Sequence, residues 1–149
     1  MAEAQGAPAL SLPPGAQAEF AQLMTAAQPR EACALLFGER RPNERRVEEV
    51  VAIPNIAEGE DAFELDPIAW RQAELEARAA GLEVLGVWHS HPRAEAAPSA
   101  RDRVGAQPGW SYAITCGSAP EAVRSFLCVD GALVEQRVTA RSHSCAARL

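Results

Sequence analysis

The chain has 149 residues, of which 48% are hydrophobic, and 20 acidic against 14 basic side chains give a formal net charge of −6. That length predicts one domain with a core of its own, and the acidic balance argues against nucleic acid or an anionic membrane as partner. No apolar run approaches the roughly 20 residues that span a bilayer, and residues 1–11 lack the basic start and apolar stretch of a signal peptide, so a cytoplasmic location is expected.

Residues 1–12 are expected to be flexible, with a short strand over 9–12, and Pro13-Pro14-Gly15 breaks the chain. From 16 to 28, Phe20, Leu23, Met24 and Ala27 recur at helical spacing, and Pro29 closes that helix. The run Cys33-Ala34-Leu35-Leu36-Phe37-Gly38 reads as a strand buried on both faces, with Glu31 just before it. Residues 47–53 read as a second strand, and 55–63 as an acidic loop. Asp66-Pro67 starts a helix that runs to about Ala80, where Gly81 suits the left-handed end. Residues 82–88 are a third strand, Ser99 begins a short helix ended by Gly105 or Pro108, and 110–116, 123–129 and 133–138 are three more strands. Asp130-Gly131 signals a hairpin between the last two. The pattern predicts an α/β or α+β sandwich, a mixed sheet flanked by helices. The domain is placed at 13–140, with a flexible tail at 141–149.

The four cysteines have no paired spacing, so free thiols are expected. Cys33, Cys116 and Cys128 lie in apolar runs and read as small buried hydrophobes, and Cys145 falls in the polar tail.

The chemistry concentrates in Gly86-Val87-Trp88-His89-Ser90-His91-Pro92 and the following Ser99 and Asp102. In a strand, residues two apart share a face, so His89 and His91 aim at one point while Ser90 turns away. Two imidazoles and one carboxylate leave a fourth tetrahedral position open, the pattern of a catalytic zinc centre. Asp102 is the candidate carboxylate. Taken alone, paired histidines are a weak signal, and Ser99 with Asp102 equally matches a helix capping box. The two roles do not exclude each other. Trp88 and Trp110 read as core or rim, or as the wall of a substrate groove. Arg93 and Arg101 read as partners for a substrate carboxylate or as solvated charges.

His-Ser-His-Pro, Ser99 and Asp102 at these spacings resemble the motif of the JAMM (MPN+) zinc metalloproteases. Residues 29–38 resemble that family's glutamate-bearing first strand, and Phe63-Glu64-Leu65-Asp66-Pro67 the approach to its second helix. The resemblance covers roughly 20–116 and implies a cytidine-deaminase-like JAB1/MPN fold. It further implies that His89, His91 and Asp102 bind one Zn2+, that Glu31 is the general acid/base, and that Ser99 donates to the oxyanion. The implied substrate is the C-terminal Gly-Gly tail of a ubiquitin-like protein, such as a sulfur carrier, cut as an isopeptide or peptide bond. The chain departs from the family pattern at Ala34, where glycine is usual, and in a short segment after Asp102 where larger relatives insert a loop. The rival reading is a non-catalytic binding module of the same fold, which typically lacks part of this residue set. A zinc nucleoside deaminase would require HxE and PCxxC, and neither is present. The sequence assigns no oligomeric state.

Overall fold

The hydrophobic pattern resolves into eight strands and three helices among the described residues, 6–142 of a computed structural model. In chain order they are β1 (Ala9–Leu12), α1 (Ala16–Ala27), β2 (Cys33–Arg40), β3 (Glu44–Ile53), α2 (Pro67–Ala79), β4 (Glu83–His91), α3 (Ala100–Val104), β5 (Ser111–Cys116), β6 (Ala119–Val129), β7 (Ala132–Gln136) and β8 (Val138–Ala140). All eight strands join one mixed sheet in the order β7-β6-β5-β4-β2-β3-β1-β8. This is the helix-flanked mixed sheet that the sequence predicts. No helix among the described residues is long and apolar enough to cross a membrane.

The strands β7 and β8 lie at opposite ends of that order, yet only Arg137 separates them in the chain. The sheet must therefore curl until its ends meet. At the seam Leu10 N donates to the Arg137 carbonyl at 2.8 Å, and Gln136 Nε2 donates to the Pro8 carbonyl at 2.7 Å. Helix α1 is enclosed by this curl. Its Phe20 is fully buried and stacks on Trp88 with centroids 4.6 Å apart, among Leu10, Leu36, Val47 and Ala113. Helix α2 covers the other face with Ala73 and Ala77, against Cys33, Leu35, Phe37 and Val87. The alternation of β2 thus feeds two cores, which is why its sequence is apolar without interruption.

Strand β4 carries a bulge that decides where the site faces. Leu36 pairs with Gly86 and Phe37 with Val84, so Leu85 is the extra residue. Leu85 joins the α1 core, while Val87 points to the α2 side. His89 and His91 follow Val87 by alternation. Gly86 sits where a Cβ would run into the Ser111 carbonyl of β5. Gly86→Ala should therefore destabilise the fold by about 1–3 kcal/mol by forcing β4 and β5 apart, as a lower denaturant midpoint would register.

Three expectations change. Residues 9–12, placed in a flexible N-terminus, form the short strand also read there, β1, which is buried between β3 and β8 rather than flexible. The run expected as one strand over 133–138 divides at Arg137 into β7 and β8, because its second half pairs with β1 rather than β6. Arg141, expected to open a loose tail, donates to the Ser11 carbonyl at 2.9 Å and to Ser11 Oγ at 2.7 Å. The rest of that tail from 143 onward, with Cys145, lies outside the described residues. The hairpin at Asp130-Gly131 holds as read, with both residues at positive φ (50° and 81°), as a type I′ turn requires.

Candidate metal centre and its surroundings

The open end of β4 delivers His89 and His91 to the α2 side of the sheet. His89 is fully buried and His91 is 4% exposed. Their Nε2 atoms are 3.0 Å apart. Asp102 Oδ2 lies 3.2 Å from His89 Nε2 and 3.4 Å from His91 Nε2. Zinc held tetrahedrally at about 2.0–2.1 Å puts neighbouring donor atoms about 3.3 Å apart, so this triangle matches the edge of such a site. A Glu31 carboxylate oxygen stands farther off, within 4.8 Å of both imidazoles. The spacing separates three tight donors from one looser carboxylate.

The tautomers suit a cation as well. His91 Nδ1 lies 2.6 Å from the Glu95 carbonyl, which demands a proton on Nδ1 and leaves the Nε2 lone pair facing inward. The His89 ring is held by stacking on Phe63, with centroids 4.4 Å apart, and its Nδ1 has no hydrogen-bond partner among the described residues. The Nε2 atoms of His89 and His91 and the Asp102 carboxylate converge at a range where they repel one another unless a cation or shared protons lie between them. His89, His91 and Asp102 could thus hold a metal.

Asp102 is positioned by α3. Ser99 caps that helix, its Oγ accepting from Asp102 N at 3.1 Å while Ser99 N donates to Asp102 Oδ2 at 2.8 Å. The capping box and the approach to the histidines therefore use the same carboxylate. The Ser99 hydroxyl is exposed, and its proton stays free to donate elsewhere.

Electrostatics divides the two acids. Burial pushes the Glu31 carboxyl up to about 7, with Asp102 adding to the rise and His91 opposing it. Burial would raise Asp102 too, but hydrogen bonds with His89 and His91 hold it well below the usual carboxylate range. Burial lowers His89. Burial would also lower His91, but its bonds to Asp102 and the Glu95 carbonyl reverse the direction. One carboxylate is kept ionised and the other is poised near neutrality, a division suited to proton transfer.

A cavity of about 290 Å³ adjoins Asp102, walled by Phe63, Leu65, Trp70, Trp110 and Arg101. Trp110 thus lines a groove, whereas Trp88 is core, fully buried, with Nε1 donating to Thr115 Oγ1 at 2.9 Å. Arg93 ties the loop after His91 to the acidic loop, reaching Glu60 and Asp61 at 2.7 Å each.

Nothing in the sequence assigns a role to Ser90, Asn55 or the Glu95 carbonyl. Ser90 turns away from the histidines as expected, but its Oγ accepts from Ala32 N at 2.8 Å and its own N donates to the Ala32 carbonyl. Glu31 is the adjacent residue. Ser90→Ala would leave a buried amide unpaired, so it should cost about 1–3 kcal/mol in unfolding free energy, read by denaturant titration.

The family described as prokaryotic homologs of the JAB domain matches residues 13–129. The chain belongs to that family. A relative from Thermus thermophilus, named a probable TtuB-protein conjugate cleaving protease, is 34% identical over 104 residues, covering 69% of this JAB-family chain and 65% of the relative. A desampylase from Haloferax volcanii is 36% identical over 88 residues, covering 58% of this chain and 62% of its own length. The chain thus spans less than two thirds of either curated relative. Protein DSY2949 from Desulfitobacterium hafniense, known by its solution structure, superposes with a TM-score of 0.81 at 29% identity, covering 94% of this chain and 98% of that one. The JAB-family membership agrees with the resemblance read from the histidine motif.

Proposed function

We propose that this JAB-family chain is a zinc-dependent isopeptidase or peptidase that hydrolyses the amide bond after the C-terminal Gly-Gly of a ubiquitin-like protein, a sulfur carrier among the candidates. The observation that carries the reading is the triangle of His89 Nε2, His91 Nε2 and Asp102 Oδ2, with edges of 3.0 to 3.4 Å, beside a buried Glu31. The names of the Thermus and Haloferax relatives support cleavage of protein conjugates.

In this reading His89, His91 and Asp102 hold the metal. A zinc ion bound there would supply a nucleophile from water near neutral pH and polarise the scissile carbonyl. Glu31 accepts the proton of the attacking water on its carboxylate and passes it to the leaving amine. Ser99 donates its free hydroxyl proton to the developing oxyanion, a contact typically worth a few kcal/mol. Phe63 and Trp110 flank the groove in which the tail lies extended. A non-catalytic module would need none of this donor set. The catalytic unit we assign runs from β1 to Arg141, slightly wider than 13–140. We place it in the cytoplasm, where the thiols of Cys33, Cys116 and Cys128 stay reduced.

A chelator should stop cleavage and added zinc restore it, while a thiol-alkylating reagent leaves the rate unchanged. Burial pushes the Cys33 thiol up to about 12, so almost no reactive thiolate forms there. A hydrogen bond with Ser118 instead lowers the Cys116 thiol, so a Cys116→Ser variant that keeps full activity is the control for alkylation at that site. Loss of activity on alkylation with chelator resistance would point instead to a cysteine nucleophile.

A further inference from the structure

Glu31 precedes β2, and its backbone is fixed by side chains from distant parts of the chain. Ser90 clamps Ala32 on one side. On the other, Asn55 Nδ2 donates to the Glu31 carbonyl at 2.9 Å. The same amide group donates to the Ala62 carbonyl at 3.0 Å. Asn55 Oδ1 accepts from Ala57 N at 2.9 Å and from Glu64 N at 3.0 Å. An asparagine side chain offers two donor protons and two acceptor lone pairs, and here all four are used. The Arg30 guanidinium adds bonds to the Asn55 and Ala57 carbonyls. The segment from 55 to 65, closed by the Asn55–Leu65 bridge, carries Phe63 against His89 and offers Glu60 and Asp61 to Arg93.

We infer that Asn55 is a positioning residue that fixes Glu31 and the 57–64 wall of the groove in one frame. The inference rests on Glu31 being the general base of the proposed reaction. Proton transfer needs the base within hydrogen-bond reach of the water it serves. The scissile bond is placed by the tail, and the tail lies against Phe63. A hub that bonds both the carbonyl of the base and the backbone of the wall keeps those two references from drifting apart. Asn55 acts through Glu31 and the loop, and itself enters no chemical step.

Asn55→Asp separates the two halves of the hub. It keeps acceptors for Ala57 N and Glu64 N but sets an oxygen against the Glu31 and Ala62 carbonyls. With zinc content and unfolding midpoint near wild type, kcat should fall about 10–100-fold, since misplacement by roughly 1 Å costs that order, while KM changes less than about threefold. Asn55→Ala releases the wall as well, so KM should rise and the amides of Ala57 and Glu64 should lose hydrogen-exchange protection. An Asn55→Asp enzyme with kcat within about twofold of wild type would overturn the inference. So would wild-type amides at Ala57 and Glu64 that exchange as fast as an open loop. If the wild-type protein cleaves no Gly-Gly tail, the proposed function fails, and the exchange measurement alone still decides whether the tether exists.

Discussion

Glu31→Gln should slow hydrolysis by about 10²–10⁴-fold while zinc stays bound. The substitution keeps the shape of a side chain that is 7% exposed and removes only its ability to carry a proton. Glu31 stands within 4.8 Å of the histidines, farther than Asp102, so the tight donor triangle survives the change. Zinc content by elemental analysis, set beside kcat, separates a lost base from a lost metal. The metal-free protein offers a second readout. Burial raises the Glu31 pKa from 4.5 to about 7. Between those values the unfolded chain releases a proton that the folded chain retains, so the neutral carboxyl's contribution to stability is present below about 4.5 and lost as pH rises through about 7. Glu31→Gln should flatten that slope in urea titrations of the apo protein. An unchanged slope would place the buried proton on another group.

Asp102→Asn should lose zinc and activity together while the fold persists. Asparagine can still accept from Ser99 N, so the capping box of α3 is kept, but the negative charge is gone. The affinity loss should exceed the roughly 10–100-fold that removal of a supporting partner costs, because a donor atom itself is weakened. His89→Ala should lose metal as well and also leave a void under Phe63. Competition with a chromogenic chelator reads the affinity, and circular dichroism reads the helix. Full zinc content in Asp102→Asn would reduce the carboxylate to a capping role.

The parts of this site that were legible in the sequence depend on local periodicity. His89 and His91 share a face because strand side chains alternate, and Ser99 with Asp102 follow a helix-capping spacing. Glu31 had no such signal, since its place beside the histidines depends on β2 pairing with β4 in antiparallel register, Cys33 opposite His89. Only the family resemblance points to it. The sequence places Asn55 in a loop after Pro54. Its role is a matter of four distant backbone partners, and nothing in its neighbours announces them. The same limit explains β8. Apolar residues at 133–138 announce strand, but only the closing of the curled sheet sends Val138 to β1 rather than β6. The bulge at Leu85 left one mark, Gly86, whose lack of a side chain allows β5 to approach.

The central claim is that this donor set cuts a Gly-Gly tail. It is tested most directly by incubating the zinc-loaded chain with each ubiquitin-like carrier of its own host, extended beyond Gly-Gly, and weighing the products by intact-mass spectrometry. For at least one carrier a single new mass that ends at the second glycine should appear, and none when Glu31→Gln replaces the wild type. Carriers that stay intact, or are cut elsewhere, or are cut equally by Glu31→Gln, would contradict it.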